Sequence, residues 1–175
     1  MDTKVRYFEL TMWPHMRAAY NLARWLVRND QDAEDIVQES FLKAYKAQES
    51  FRGSEAKTWM LTIVRNTAMD FLRRYKAGMA VPLGDQGHEP QDQSANPERG
   101  LLEESRREQV RRAISHLEAE FREVIVLREI EGLSYKEIAS VLHVPMGTVM
   151  SRLSRARNQL LVELGGAKEV QHDLP

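Results

Sequence analysis

GLSYKEIASVLHVPMGTVMSRLSRARNQL, residues Gly132 to Leu160, encodes two short helices, a tight turn between them and a basic second helix. Ser134 is placed to cap the first helix and Glu137 falls three residues later, the spacing of a capping box, while Ile138, Ala139, Val141 and Leu142 supply one apolar face. His143-Val144-Pro145 ends that helix. Proline breaks a helix from within but suits its first position, so Pro145 is expected both to separate the helices and to start the second. In the second helix Val149, Leu153, Ala156 and Leu160 recur at spacings of four, three and four, which places them on one buried stripe. The opposite arc carries Ser151, Arg152, Ser154, Arg155 and Asn158, and from Pro145 to Leu161 there are three arginines and no acidic residue. Such a face suits a polyanion: arginine donates two parallel hydrogen bonds to guanine in the major groove or a charge-assisted bond to phosphate, and Ser and Asn add short polar contacts. Cap, proline turn and basic helix together are the pattern of a helix-turn-helix DNA reader.

The rest of the chain bounds what such a reader belongs to. With 175 residues, 42% hydrophobic and 29% charged, it has the composition of one medium globular domain or two small ones. It has no cysteine, which excludes disulfides, thiolate metal sites and cysteine nucleophiles. The N-terminal stretch MDTKVRYFELTMWPHMR lacks the continuous apolar core of a signal peptide, and no run approaches the roughly twenty apolar residues that span a bilayer, so a cytoplasmic protein without membrane insertion is expected. Net charge is −1, low for a protein that holds DNA unaided, since phosphate neutralisation supplies much of such affinity. The average conceals segregation. Asn29 to Leu42 holds Asp30, Asp32, Glu34, Asp35 and Glu39 with no base, whereas Lys57 to Lys76 holds Lys57, Arg65, Arg73, Arg74 and Lys76 against the single acid Asp70.

The expected fold class is all-α, two small helical domains joined by a flexible acidic linker. AGMAVPLGDQGHEPQDQSANPERG, residues 77–100, has no apolar periodicity and carries Asp85, Glu89, Asp92 and Glu98, the composition of a solvated linker. It divides a first domain, residues 1–76, from a second, residues 101–165, with residues 166–175 a disordered tail. In the first domain, helices are expected over Ala18 to Val27, over a segment that Asp32 caps and that buries Ala33, Ile36, Val37, Ser40, Phe41, Ala44 and Tyr45, and over Lys57 to Lys76. Acids crowd the first turn of the second of these, where the helix dipole favours them. Arg52-Gly53-Ser54 is a turn-like break. The Lys57 to Lys76 helix buries Met60, Ile63, Val64, Thr67 and Phe71 and presents Arg65, Asn66, Asp70, Arg73 and Arg74. In the second domain, Leu101 to His116 and Ala119 to Ile130 precede the helix-turn-helix, with Gly132 placed to end the latter.

The acidic cluster Asp30, Asp32, Glu34, Asp35 and Glu39 has no neighbouring histidine or glycine-turned loop to complete a cation site, and a protein-docking face explains it better. The histidines are scattered without ligand spacing. Phe51, Trp59, Phe71 and Tyr75 lie beside basic and amide side chains and suit either core filling or the stacking of unpaired bases. No phosphate loop, nucleophile elbow or paired-carboxylate arrangement is present, so neither catalysis nor a cofactor is expected.

DAEDIVQESFLKAY (Asp32 to Tyr45), the FRG turn (Phe51 to Gly53), TWMLTIVRNTAMDFLRR (Thr58 to Arg74) and LEAEFREVIVLREIEGLSYKEIASVLHVPMGTVMSRLSRARNQL (Leu117 to Leu160) resemble, in this order and spacing, the bacterial RNA polymerase sigma factors of the extracytoplasmic-function class. The resemblance spans nearly the whole chain. It implies an alternative sigma factor that binds core RNA polymerase, through the clamp helices and flap of its large subunits, and directs promoter recognition, strand opening and initiation. Asp35, Gln38, Glu39 and Phe41 would dock on the clamp helices. Phe51, Arg52, Trp59, Arg65, Asn66, Asp70, Arg73 and Arg74 would read the minus 10 element, with a non-template base flipped out of the stack. Gly147, Thr148, Ser151, Arg152 and Arg155 would read the minus 35 element in the major groove. The linker would run toward the active-site cleft of the polymerase, and an anti-sigma factor, which in the family can hold its target near the membrane, is a further implied partner.

In one departure, Met150 stands where many relatives carry a basic residue, which shifts the DNA role toward Arg152 and Arg155. The alternative reading is a stand-alone two-domain helix-turn-helix regulator, which needs a ligand pocket or a dimer helix in its first half. A helical adaptor that binds only proteins has no use for a basic recognition helix. The short segment after the helix-turn-helix gives no expectation of an added control domain.

Overall fold

The protein is described here from a computed structural model, over residues 3–51, 55–78 and 100–165. Those residues form eight α-helices and no strand: α1 (Thr3–Met12), α2 (Met16–Val27), α3 (Asp30–Ala47), α4 (Ala56–Lys76), α5 (Gly100–His116), α6 (Ala119–Ile125), α7 (Tyr135–Leu142) and α8 (Met146–Glu163). The segment expected to be a linker lies outside the described residues except at its ends, and so do Arg52-Gly53-Ser54 and the tail after Gly165.

In the first half α2, α3 and α4 pack against one another, joined through Ala19, Leu22, Ala23, Ala33, Ile36, Met60, Leu61, Val64 and Ala68, all essentially without solvent exposure. Small residues at these contacts bring the helices close, and the larger ones interlock. α1 was not foreseen in the sequence. Its Phe8 and Met12 are buried against the other helices, Phe8 standing edge-on to Tyr45 at 5.4 Å between ring centres. α3 begins three residues earlier than expected, because α2 ends at Arg28 in the left-handed conformation (φ 62) and the chain reverses at once. Asn29, not Asp32, is therefore the cap: its side-chain oxygen accepts the Asp32 N–H at 2.9 Å.

In the second half α6 continues past Ile125 as a wide π-helical turn, Val126–Ile130, closed by the Glu131 N–H donating to the Val126 carbonyl at 3.0 Å. Gly132 then takes φ +72, a conformation that favours glycine, and stops the helix where the sequence put its end. The capping box of α7 is complete: the Glu137 N–H donates to Ser134 Oγ at 3.2 Å and the Ser134 N–H to Glu137 Oε2 at 2.7 Å. α8 departs in one detail. Pro145 has ψ 149 and is the residue before the helix, not its first member; His143 has already turned left-handed (φ 54), and an extended residue is needed to redirect the chain. Val149, Leu153 and Ala156 are buried as the stripe predicted, with Leu160 half-buried.

The two halves are docked on each other. α7 packs against α4 and α6 against α2, so the two apolar centres join in a single cluster.

Candidate nucleic-acid interface

α8 carries the outer arc the sequence assigned to DNA. Gly147, Ser151, Ser154, Arg155 and Asn158 are exposed and Thr148 is half-buried, its carbonyl accepting the Ser151 hydroxyl at 3.0 Å. Arg152 lies on the flank of this arc rather than at its centre: it is 24% exposed and pairs with Glu120 of α6 at 2.9 Å. Arg157, on the other flank, pairs with Glu129 at 2.7 Å. The neighbouring helix thus supplies an acid to each flanking arginine and leaves Arg155 foremost. Met146 and Met150 are each about half exposed on the arc's edge.

The set predicted on α4 is brought together in part. Arg65, Asn66, Asp70 and Arg73 line one side of a cleft of about 610 Å³ whose far wall includes Arg122 of α6. Asp70 is ion-paired with Arg73, and Arg74 stands 3.9 Å from Glu39 of α3. Arg65 is turned toward the second half, its Nε 2.7 Å from Glu123 Oε1, while Asn66 is exposed. Phe51 and Trp59 lie at the N-terminal end of the same helix with ring centres 5.1 Å apart and planes tilted by 42°, half-buried on the core. Arg52 lies outside the described residues.

On α3, Asp35 and Gln38 are exposed, Glu39 is paired with Lys43 at 2.7 Å, and Phe41 is half-buried, edge-on to Phe8 and Trp13. Burial, and then the neighbouring Asp35, raise the Asp32 carboxyl above its ordinary range. Beside these acids runs an apolar groove of about 910 Å³, bounded by Trp13, Gln38, Phe41, Leu42 and Tyr45. Trp13 and Leu42 are exposed and were not singled out in the sequence. Leu42 had a signal: it is an apolar residue on the face of α3 that the helical period assigns to solvent.

The fold and its surfaces define an all-helical protein in two parts, each with a polar helix edge suited to nucleic acid and the first with an acid-rimmed apolar face suited to another protein. Sigma-70 region 2 matches residues 14–77 and Sigma-70 region 4 matches residues 107–160. The chain is 42% identical over 137 residues to an ECF RNA polymerase sigma-E factor of Salmonella typhimurium, covering 74% of this chain and 72% of that protein. It is 35% identical over 165 residues to the RNA polymerase sigma-H factor of Pseudomonas aeruginosa, covering 89% and 84%. Among solved structures it is similar to the sigma factor RpoE of Bartonella quintana in complex with the anti-sigma factor NepR, with a TM-score of 0.73, 29% identity and coverage of 91% of this chain and 97% of that one. It is also similar to CnrH in complex with the cytosolic domain of CnrY, with a TM-score of 0.64, 28% identity and coverage of 92% and 89%. The chain belongs to the RNA polymerase sigma factors of the extracytoplasmic-function class. As a sigma factor it binds core RNA polymerase and directs it to promoters, and the stand-alone regulator falls away.

Proposed function

We propose that the sigma activity of this chain is divided among three surfaces, with domains at residues 1–76 and 101–165 and the segment 77–100 spacing them. α3 docks on the polymerase clamp helices through Asp35, Gln38, Glu39 and Phe41, and the groove bearing Trp13 and Leu42 gives that contact an apolar centre of the kind that dominates interface energetics. α4 and the loop before it engage the opened minus 10 strand through Phe51, Arg52, Trp59, Arg65, Asn66, Asp70, Arg73 and Arg74. α8 enters the major groove at minus 35 through Gly147, Thr148, Ser151, Arg152 and Arg155. The observation that carries the reading is the exposed, acid-free arc of α8 set on a buried Val149–Leu153–Ala156 stripe, since it fixes a polyanion-binding face on a rigid support.

The chain acts without catalysis of its own, in the cytoplasm. An anti-sigma partner, held at the membrane or free, is supported by the similar sigma factors solved with such a protein. Among the described residues no helix is long and apolar enough to cross a membrane. Purified chain added to core polymerase is expected to give run-off transcripts from a matched promoter. Loss of the transcript on changing either element alone supports the division, and indifference to the minus 35 element contradicts it.

A further inference from the structure

We infer that Met146 and Met150 are base-reading residues, seated against the 5-methyl groups of thymines in the minus 35 element. The inference rests on the assignment of α8 to that element made above and names what its first two turns read. The two side chains are 52% and 51% exposed and stand four residues apart, neighbours on one side of the helix. Long side chains in a helix lean back toward its N-terminus, so Met150 extends along the turn that carries Met146. Both therefore gather at the end of α8 that a helix-turn-helix presents to base edges. The other exposed large apolar residues of α8, Leu161 and Val162, belong to its last turn. The chemistry of methionine leaves one target. A thioether has no charge for phosphate and no strong donor or acceptor for the hydrogen-bonding groups of the bases, and the apolar group that a base pair presents in the major groove is the thymine methyl. A half-exposed methionine that meets this methyl takes apolar surface of both out of water.

Gly147 points independently to a close approach at the same place. Glycine inside a helix weakens it relative to alanine and is kept where a left-handed φ or a near neighbour requires it. Gly147 has no left-handed φ, and a β-carbon added to it would meet nothing within 4 Å among the described residues. Neither the backbone nor the packing of the chain therefore asks for glycine there. It lies exposed between the two methionines in sequence, and the short side chains of Ser151 and Ser154 are exposed with it. A front of short side chains lets the floor of the groove come near the helix axis, which brings methionines at its margin within reach of the base edges. Arg155 and Ser151 are left to guanine and phosphate, and the methionines add a preference for A·T pairs whose thymine lies on their side.

Exchanging thymine for deoxyuridine removes the 5-methyl group and keeps every hydrogen bond, so it isolates this contact. In the holoenzyme formed by the full chain with core polymerase, promoter affinity is read by competition while each thymine on either strand of a matched minus 35 element is exchanged in turn. At one position or more the wild type is expected to lose about threefold to fourfold, the size of one methyl-sized group returned to water. Met146→Ala with Met150→Ala, its folding checked by circular dichroism, should bind thymine and uridine promoters alike, and Met146→Leu with Met150→Leu should recover the difference. Met150→Arg, though it binds every sequence more strongly, should distinguish the two bases less. A wild type indifferent to every exchange, or an alanine variant that distinguishes the two bases as well as the wild type does, overturns the inference. A wild type indifferent to every base change in the element overturns instead the assignment of α8 on which it rests. Gly147→Ala supplies a second readout: its melting temperature should rise while promoter affinity falls, and unchanged affinity contradicts the close approach.

Discussion

Arg155 and Arg152 stand one turn apart on α8 in different surroundings, and that difference decides what each can do. Arg155 is exposed at the front of the arc, while Arg152 reaches back to Glu120. Arg155→Ala is therefore expected to cost about 1–3 kcal/mol of discrimination between matched and mismatched minus 35 elements. Arg152→Ala should cost less and act on all sequences alike, as a phosphate contact does; a larger sequence-dependent loss from Arg152→Ala in promoter-mismatch transcription would reverse the assignment. Met150 offers a gain. Met150→Arg restores a cation at the arc's edge, and its binding should strengthen on every sequence with a salt dependence steeper by about one unit in the log–log slope. Glu137 is a residue-scale pH sensor of stability. The Ser134 N–H and then the Ser134 hydroxyl hold its carboxyl below the ordinary glutamate range. A depressed carboxyl contributes stability that is present above its unfolded pKa and lost as pH falls through the folded value. Melting temperature should thus fall on the acid side of the ordinary glutamate range, and Glu137→Gln should flatten that limb; an unchanged limb contradicts the role.

At the scale of elements, α7 and α8 were legible in the sequence because every signal there is local. The cap, the apolar periods and the helix-stopping residues all act within a turn of where they stand, and burial of Ile138, Val141, Val149, Leu153 and Ala156 follows them. Leu153→Ala should leave a cavity in the stripe and lower the stability of the second half by about 2–5 kcal/mol, measured by denaturant unfolding; a change below about 1 kcal/mol would mean that α8 is not packed through this residue. Elements set by tertiary contact were less legible. α1 depends on Phe8 and Met12 finding a place beside α3 and α4, which no local period in its first ten residues announces. The early start of α3 follows from Arg28 turning left-handed, a conformation uncommon outside glycine, asparagine and aspartate. The wide turn at Val126–Ile130 packs against α2 and α7, and no local period in its residues announces it. The candidate site divides in the same way: the outer arc of α8 could be read from spacing alone, whereas the pairing of Arg152 with Glu120 and of Arg65 with Glu123 joins residues far apart in sequence and needed the fold.

For the whole molecule, a near-neutral charge has a direct consequence: free protein should bind promoters weakly. A salt-titrated gel shift with the isolated chain is expected to show only weak complexes at physiological ionic strength, since few phosphate contacts are available to it. In the holoenzyme, by contrast, polymerase supplies much of the DNA affinity and this chain the selection of sequence. The central claim is that the chain confers promoter choice on core polymerase through two separated reading helices. Run-off transcription with purified core enzyme, with and without the chain, on a promoter and on versions altered at minus 10 or minus 35, tests it most directly. Transcripts that require the chain and fall with either alteration are the predicted result; tight, sequence-specific promoter binding by the isolated chain together with no core-dependent transcript from any promoter would contradict it.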